Sequence, residues 1–289
     1  MTASASADGL ARHIQGWDPE QVLTVDTLDP ATAQQLAATL DLPGVFESGS
    51  ALPPLWQWVY FTEWPPTAEL GADGHPLAGH FLPPIPNRRR MFAGGRVTVT
   101  VPLTLGVPAE RHASVAAIKV KSGRSGELLF VTVRYHYRQH GETALVEEQD
   151  IVYRSDSGAA TAFTRGTASL GDTEIPWATR HTTTPPLLFR FSALTANAHR
   201  IHYDEAYTIG TEGYPGLVVH GPLLAVYMAE LVRAQAANRS VRQFEFRLSK
   251  PVFVGDAIEV QGTPDGDTVQ LAVISGGGVV HTSATARLA

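Results

Sequence analysis

The sequence predicts an α+β protein in which two antiparallel sheets each wrap around a central helix. With 289 residues, the chain is long enough for one large domain or two of about 100 to 150 residues each. Segments that alternate apolar and polar residues, typical of half-buried strands, occur in both halves. One segment, LVVHGPLLAVYMAELVRAQAA, reads as a helix that is apolar on most faces, and such a helix is usually buried.

The first half of the chain begins with two predicted helices, over residues 9–14 and 30–40. For the second of these, Asp29 is a good N-cap and Pro30 suits the first helical position. The apolar residues 56–61 are predicted to form a strand, and the proline- and glycine-rich sequence after them predicts a long irregular loop. Loops of that length in a compact domain are usually functional or serve as linkers.

Strand patterns dominate the rest of the first half. They are RVTVTVPL, ASVAAIKVKS, ELLFVTVRYHYRQ and ALVEEQDIVYR, and the turn-like sequences SGRSG and HGET separate the last three. The polar sequence that follows ends in prolines and is typical of a connection between domains.

The second half repeats the theme in a different order. A strand is predicted over residues 188–192, the buried helix begins near Gly221, and RQFEFRLSKPVFV, AIEVQGTP, TVQLAVISG and VVHTSATARL are predicted strands. A buried helix wrapped by a long antiparallel sheet is a hot-dog arrangement, and residues 30–40 supply the corresponding helix of the first half. The predicted units of this double hot-dog are a first half in residues 1–165, a linker in residues 166–187 and a second half in residues 188–289.

Composition and charge exclude several classes of protein. The formal net charge of −6 gives no overall basic field for nucleic acid or an anionic membrane. The chain has no cysteine, which excludes disulfides, thiolate zinc sites and a catalytic thiol. The sequence MTASASADGLARHIQGW lacks the features of a secretory signal, and the longest apolar run is too interrupted to span a bilayer. We therefore expect a soluble, cytoplasmic protein.

Two short motifs carry the chemistry that the sequence suggests. SALTANAHRIHYD contains two histidines, an asparagine and an acid, and YPGLVVHGPLLA leads into the buried helix. Together they resemble the signature of the MaoC-like hydratases and dehydratases, in the branch of 3-hydroxyacyl-thioester dehydratase type 2 and mesaconyl-C4-CoA hydratase. DGHPLAGHFLPPIPNRRRMFAGG and LVEEQDIVYR resemble the N-terminal half of that branch. The resemblance covers roughly residues 55–289 and implies that the first half is a degenerate, substrate-binding hot-dog.

The resemblance implies catalytic roles for three residues. The better-known hydratases of this fold carry a Gly-Asp pair five residues before the catalytic histidine, which places His202 on that histidine and Asn197 on the aspartate. Gly221 falls where the family uses a backbone N–H at the helix start to hold the thioester carbonyl. The implied activity is that of a hydro-lyase, which hydrates an enoyl thioester or dehydrates a 3-hydroxyacyl thioester.

Elementary chemistry agrees with these roles. Adding water to an α,β-unsaturated thioester requires a base for the water, a donor for the enolate-like oxygen and an acid for the α-carbon. Histidine serves as base and acid in turn near neutral pH, and N–H groups at a helix start stabilise an oxyanion. Asn197 cannot titrate, so His202 is expected to carry most of the proton transfer while the Asn197 amide orients water or the carbonyl. Whether Asp204 orients His202 or is structural stays open.

Other residues are assigned to substrate binding. The set is Arg88, Arg89, Arg90, Arg200, Val219 and His220. The three consecutive arginines would contact a substrate phosphate or carboxylate, although such runs are more often a solvated surface. His220 has a second interpretation as a helix cap.

We expect no cofactor and no metal, with a CoA or carrier-protein thioester as the substrate. His199 and His202 have an HxxH spacing that suits metal ligands, but the chain offers no cysteine and no fixed helical context there. A homo-oligomer is expected, without nucleic acid or membrane partners. Two alternatives stay open: a hot-dog thioesterase, which would need a carboxylate where Asn197 stands, and a non-catalytic acyl-thioester-binding module. The sequence leaves the acyl group open among dicarboxylic, fatty and polyketide chains.

Overall fold

The structure, a computed structural model, describes residues 9–79, 81–86, 88–123, 126–155, 163, 165–166, 168–172 and 174–289. Within them the helices α1 to α5 are Leu10–His13, Pro30–Thr39, Pro185–Leu194, Glu205–Gly210 and Gly221–Gln235. The strands β1 to β10 are Val22–Asp26, Arg88–Val99, Ala109–Gly123, Gly126–Gln139, Glu142–Ser155, Trp177–Thr182, Val241–Leu248, Ala257–Asp265, Thr268–Ser275 and Val279–Leu288. Short 3-10 turns occupy Trp56–Val59, Thr67–Glu69, Arg200–His202 and Gly276–Gly278. Over these same residues, none of the helices has the length and apolar character needed to cross a membrane.

The strands of the described residues form one antiparallel sheet, in the order β1-β3-β4-β5-β2-β7-β10-β9-β8-β6. Its two five-stranded halves join where β2 pairs with β7, from Gly94 opposite Arg247 to Thr98 opposite Gln243. Gly94 has φ +152°, and a Cβ atom there would lie 2.3 Å from the Phe246 carbonyl oxygen, so this close pairing requires glycine. The predicted α+β double hot-dog is confirmed, and its two sheets are continuous with each other.

The C-terminal half wraps around α5. This helix packs against β6, β7, β8, β9 and β10, and every side chain from Leu223 to Val232 is buried. In the N-terminal half, α2 begins as expected, because the Asp29 carboxylate accepts a hydrogen bond from the Ala31 N–H at 2.9 Å. It packs against α3 and the turn Trp56–Val59. The helix expected to be the central helix of the first half therefore packs mainly on α3 and on this turn, whereas α5 packs directly on the strands of its sheet.

The turn Trp56–Val59 occupies a segment that was predicted to be a strand, and that prediction is wrong. Trp56 and its neighbour Gln57 are both fully buried, whereas a half-buried strand buries every second side chain. Gln57 Nε2 donates to the Glu147 carboxylate of β5 at 3.1 Å, and Trp56 Nε1 donates to the Glu230 carboxylate of α5 at 2.9 Å. These two buried hydrogen bonds tie the turn to the sheet of the first half and to the helix of the second.

The strand predicted over residues 188–192 is also wrong, because the chain forms α3 there. The Thr184 side chain accepts a hydrogen bond from the Leu187 N–H, and proline occupies the first helical position. The buried side chains of α3 are Leu188, Phe191 and Ser192. Their spacing of three and four residues is that of a helix, and it outweighs the short alternation that suggested a strand.

The other predicted helices and strands are confirmed, except that the strands predicted in RVTVTVPL and RQFEFRLSKPVFV end early, at Val99 and Leu248. Two strands were not predicted. The predicted turn HGET contains His140 at φ +53° and Gly141 at φ +80°, a backbone suited to a tight hairpin; part of the SGRSG turn lies outside the described residues. The unpredicted strands are β1, which pairs with β3, and β6, which pairs with β8. Because β6 lies within residues 166–187, part of the predicted linker belongs to the sheet. The limits of the two halves stay a prediction.

Candidate active site

The histidine-rich motif lies between α3 and α4, next to the start of α5. The end of α3 is closed by a hydrogen bond of 2.9 Å from the Asn197 N–H to the Ser192 carbonyl. This closure places Ala196 at φ +50°, a left-handed conformation that residues other than glycine rarely adopt. The chain then turns through Arg200–His202 and brings the histidines of the motif together.

Asp204 has a structural role that the sequence left open. Its carboxylate accepts a hydrogen bond from the Tyr207 N–H at 3.0 Å and thereby caps α4. The same carboxylate accepts from the Arg200 guanidinium at 2.7 and 3.0 Å. The bond from the Tyr207 N–H, followed by that from Arg200, lowers the pKa of Asp204. Arg200 and Asp204 therefore form an ion pair that holds both side chains in place, and none of these bonds involves His202.

His202 is a buried base, and one of its two ring nitrogens has no hydrogen-bond partner among the described residues. Its side chain is 7% exposed, and its Nδ1 lies 2.7 Å from the Val218 carbonyl oxygen. A carbonyl can only accept, so Nδ1 carries the proton and Nε2 keeps its lone pair. Burial lowers the pKa of His202 to about 4, so the ring is neutral at physiological pH. Val219, the residue after Val218, is buried, and its N–H donates to the Val252 carbonyl at 2.8 Å.

His220 and Gly221 lie at the start of α5, in contact with His202. His220 is the N-cap residue of α5, and its ring stacks on that of His202 with a centroid distance of 3.6 Å. Its Nε2 lies 2.8 Å from Ser192 Oγ, and its buried Nδ1 has no hydrogen-bond partner among the described residues. Gly221 is the first helical residue, where backbone N–H groups are unpaired and the helix dipole is positive.

Asn197 and His199 complete the loop. Asn197 Oδ1 accepts a hydrogen bond from the His199 N–H at 3.0 Å, so the amide oxygen shapes the loop and the amide nitrogen is left to act as a donor. The His199 and His202 rings are 5.6 Å apart and nearly perpendicular. Burial, followed by the charge of neighbouring histidines, lowers the pKa of His199 to about 2. His199 is therefore a second neutral imidazole beside His202.

The N-terminal half contributes two further residues, Asp73 and His75. The His75 ring lies 4.1 Å from that of His199, and His75 Nδ1 lies 2.9 Å from Asp73 Oδ2. Gly74, between them, has φ +89°, and a Cβ atom there would lie 1.9 Å from the Ala198 carbonyl oxygen. Sequence reasoning missed both residues. The DGH triplet at residues 73–75 was available as a signal, since a glycine between two chemically active residues is typical of a close backbone approach.

The three consecutive arginines have different environments. Arg88 donates to the Leu77 and Pro83 carbonyls at 2.7 and 3.0 Å, which fixes the loop before β2. Arg89 forms an ion pair of 2.7 Å with Glu212, after α4. Arg90 is exposed and forms no ion pair among the described residues. Its side chain bonds to that of the buried Tyr153 and its charge acts on His199. Of the three, Arg90 has neither a carboxylate nor a backbone carbonyl as a partner among the described residues.

Asp73, His75 and His199 form the one group among the described residues that could hold a metal ion, because their ligand atoms lie within 4.8 Å of one another. Two imidazoles and a carboxylate suit zinc or iron. Here, however, Asp73 Oδ2 is hydrogen-bonded to His75 Nδ1, which leaves two imidazole nitrogens as free ligands. The expectation that no metal is bound stays a prediction.

Comparisons with known proteins agree on one family. The model of the family described as hydroxyacyl-thioester dehydratase type 2 matches residues 55–254. Mesaconyl-C(4)-CoA hydratase of Chloroflexus aurantiacus is 44% identical over 98% of this chain and 99% of its own length. The mitochondrial hydroxyacyl-thioester dehydratase type 2 of Schizosaccharomyces pombe is 26% identical over 83% of this chain and 89% of its own.

Solved structures confirm the fold. A MaoC-like dehydratase from Phytophthora capsici superposes with a TM-score of 0.70 at 12% identity, over 96% of this chain and 98% of that one. HtdX of Mycobacterium tuberculosis gives a TM-score of 0.65 at 14% identity, over 93% of this chain and 99% of that one. At these identities the similarity shows a shared fold.

Proposed function

The chain belongs to the hydroxyacyl-thioester dehydratase type 2 family, and we propose that within this family it hydrates the CoA thioester of a short unsaturated dicarboxylic acid. It is a hydro-lyase, which adds water to an enoyl thioester and removes water from a 3-hydroxyacyl thioester. The dicarboxylic substrate is suggested by the 44% identity to a mesaconyl-C(4)-CoA hydratase over nearly the whole chain. Such a substrate presents a thioester at one end and a free carboxylate at the other.

The observation that carries this function is the neutral, buried His202, stacked on the N-cap residue of α5. Its free Nε2 is the base that takes a proton from water as the water oxygen attacks the β-carbon. The enolate that forms carries negative charge on the thioester oxygen. The Gly221 N–H, at the positive end of the α5 dipole, stabilises this charge. The Asn197 amide nitrogen orients the water or the carbonyl, while its oxygen holds the loop.

Recognition of the free carboxylate is assigned to Arg90. Arg88 and Arg89 are engaged with backbone carbonyls and Glu212, and Arg200 with Asp204. Arg90 is exposed, and its charge acts on His199 in the motif. A guanidinium matches a carboxylate with two parallel hydrogen bonds, which suits a fixed substrate end. Val219 and His220, also assigned to substrate binding, would act as buried walls of the site.

A panel of CoA thioesters tests this function. The protein is mixed with mesaconyl-C4-CoA, crotonyl-CoA and longer enoyl-CoAs, and mass spectrometry measures the gain of one water. We expect hydration of all reactive enoyl thioesters, with the highest kcat/KM on the dicarboxylic one. A parallel free-thiol assay detects thioester hydrolysis, which would instead indicate the thioesterase alternative. Tight binding without turnover on any thioester would indicate a binding module.

The compartment and the assembly state stay predictions. We expect a cytoplasmic protein that forms a homo-oligomer and uses no cofactor, with the acyl thioester as its substrate. Size-exclusion chromatography with light scattering measures the assembly state, and metal analysis of the purified protein tests the cofactor expectation. A monomer of 31.1 kDa in solution would contradict the expected oligomer.

A further inference from the structure

Hydration requires two proton transfers, and a second proton-transfer group beside His202 would divide them between two side chains. Water loses a proton as it adds to the β-carbon, and the α-carbon gains a proton. Asn197 has no titratable proton, and its amide oxygen already accepts the His199 N–H. His202, with its pKa lowered to about 4 by burial, is neutral at physiological pH and enters hydration as the base.

His75 is a second imidazole with the features of a proton-transfer group. Its Nδ1 lies 2.9 Å from Asp73 Oδ2, and its own N–H donates to Asp73 Oδ1 at 3.0 Å. Burial alone would raise the pKa of Asp73, but the hydrogen bonds from His75 lower it to about 2. The carboxylate is therefore ionised and holds the proton on His75 Nδ1. A carboxylate on Nδ1 fixes the tautomer and stabilises the imidazolium that forms when Nε2 takes a proton.

The backbone holds this pair against the catalytic loop at several points. The Arg200 N–H donates to the Asp73 carbonyl at 2.8 Å, and the Arg200 guanidinium donates to the Ala72 carbonyl at 2.8 Å. The approach of Gly74 to the Ala198 carbonyl is too close for any side chain. These contacts hold the N-terminal half of the fold against the C-terminal half at the residues that carry the imidazoles. An accidental surface contact would not require a left-handed glycine and two backbone-directed bonds.

The imidazoles form a contiguous group. The His75 ring lies 4.1 Å from that of His199, which in turn lies 5.6 Å from that of His202. His199 is neutral and separates the other two. Burial is the main cause of the lowered pKa of His202, and the charge of His75 adds to it, as expected for groups on either side of His199. A substrate double bond placed beside His199 would therefore lie within reach of His75 on one side and of His202 on the other.

We propose that His75, oriented by Asp73, protonates the α-carbon in hydration and removes the α-proton in dehydration, on the premise that the chain is the hydro-lyase described above. In hydration, His202 Nε2 takes a proton from water while the water oxygen bonds to the β-carbon. The π electrons of the double bond form a second bond between the α-carbon and the carbonyl carbon, and the π electrons of the C=O bond move to the thioester oxygen. The C=O bond then re-forms, the α-carbon bonds to the Nε2 proton of the His75 imidazolium, and the electrons of the broken N–H bond stay on Nε2. A proton passes from His202 to His75 through solvent before the next turnover.

The chain offers a matched control for this pair. On β3, Glu110 and His112 have the same two-residue spacing, and Glu110 Oε2 lies 2.9 Å from His112 Nε2. Glu110 is exposed and His112 is half-buried, and the pair is far along the sheet from α5, since β3 lies beyond β4, β5, β2 and β7 in strand order from β10. A change at His112 alters a carboxylate–histidine contact of the same kind without touching the site.

The test compares the parent with His75→Gln, Asp73→Asn and His112→Gln on the enoyl-CoA that the parent hydrates best. We expect His75→Gln to lower kcat by roughly 10²- to 10⁴-fold with little change in KM, and Asp73→Asn to lower it less. The pH profile of the parent should show a basic limb that His75→Gln removes. His112→Gln should match the parent in both respects. In D₂O, exchange of the α-hydrogen of the 3-hydroxyacyl-CoA should be lost in His75→Gln.

Other results would overturn the proposal. A folded His75→Gln variant with the kcat and pH profile of the parent would mean that His202 serves both steps alone. A rise in KM with unchanged kcat would make His75 a binding residue for the substrate carboxylate. If His75→Gln does not fold, as judged by circular dichroism, Asp73→Asn decides, because parent-like kcat there contradicts an oriented imidazole. If the parent hydrates no thioester, the proposed function fails first and this inference with it.

Discussion

The imidazole rings of His202 and His220 stack with their centroids 3.6 Å apart and their planes inclined by 18°. Both side chains are buried, so a proton on either ring would place a charge in an apolar environment beside the other ring. Burial, and for His220 also the charge of His202, lowers both pKa values. The pair is therefore neutral at physiological pH, which leaves His202 Nε2 free to act as a base.

Acidification should destabilise the protein through this stacked pair. The ordinary pKa of histidine is 6.5, and burial lowers that of His202 to about 4 in the folded protein. Between these values the unfolded chain binds more protons than the folded one, so the free energy of unfolding falls as pH falls and is restored above 6.5. Thermal melts from about pH 7.5 to 4.5 measure this, and His220→Gln should show a shallower fall in Tm than the parent. Equal slopes would contradict a buried, neutral His220.

Asn197→Asp should lower activity although it restores the carboxylate of the better-known hydratases. The aspartate can still accept the His199 N–H, so the loop should keep its shape. Its negative charge should raise the pKa of the nearby imidazoles and protonate the base over more of the working range. We expect the acidic limb of kcat/KM to move to higher pH, whereas Asn197→Ala should lower kcat and leave that limb in place. An active Asp variant with an unmoved limb would place residue 197 out of range of His202.

Ala196→Gly should stabilise the protein. Ala196 has φ +50°, a conformation that costs an L-residue about 1–2 kcal/mol, while glycine adopts it freely at an entropic cost of about 0.5–1 kcal/mol. The net gain should be about 0.5–1 kcal/mol, measured as a rise in the midpoint of denaturant unfolding. Ala193→Gly, at an exposed position within α3, is the control and should lose about 1 kcal/mol. Destabilisation by both changes would contradict the left-handed backbone at residue 196.

Arg90→Gln should raise KM for a dicarboxylic thioester and leave KM for crotonyl-CoA unchanged. A hydrogen bond to a charged group contributes about 1.5–3 kcal/mol, which corresponds to a KM rise of roughly 10- to 100-fold at nearly constant kcat. Arg89→Gln is the matched control, because Arg89 is already paired with Glu212. Steady-state kinetics on both substrates measure the difference. An equal effect of the two changes, or a rise on crotonyl-CoA as well, would remove Arg90 from carboxylate recognition.

Much of the fold follows from patterns within single segments of the sequence. The apolar run of α5 and the alternation of apolar and polar residues in β2–β5 and β7–β10 follow directly from which side chains are buried. The helix and these strands were therefore predicted correctly. The errors arose in short apolar segments, where periodicity alone does not separate a strand from a helix. At α3 the N-cap Thr184 and the prolines after it were the better signal. At Trp56–Val59 the turn depends on buried bonds to Glu147 and Glu230, which are remote in sequence.

The meeting of the two motifs was predictable, because their residues lie close together in the chain. Asn197, His202 and Gly221 lie in two neighbouring motifs, and the structure brings the two histidine-bearing segments into contact at His202 and His220. Asp73 and His75 come from the other half of the fold, and their position against His199 depends on how the two halves dock. Local patterns carry no information on that docking: the DGH triplet is a signal of a close backbone approach, but it does not indicate which segment makes the approach.

The hydration rate of His202→Gln tests the central claim most directly. Glutamine can still donate to the Val218 carbonyl, so the variant should fold, but it has no nitrogen that accepts a proton from water. Mass spectrometry of the enoyl-CoA that the parent hydrates best should show kcat/KM lowered by roughly 10²- to 10⁴-fold, with the melting temperature close to that of the parent. A folded His202→Gln variant that hydrates this substrate at the parent rate would contradict the assignment of His202 as the catalytic base.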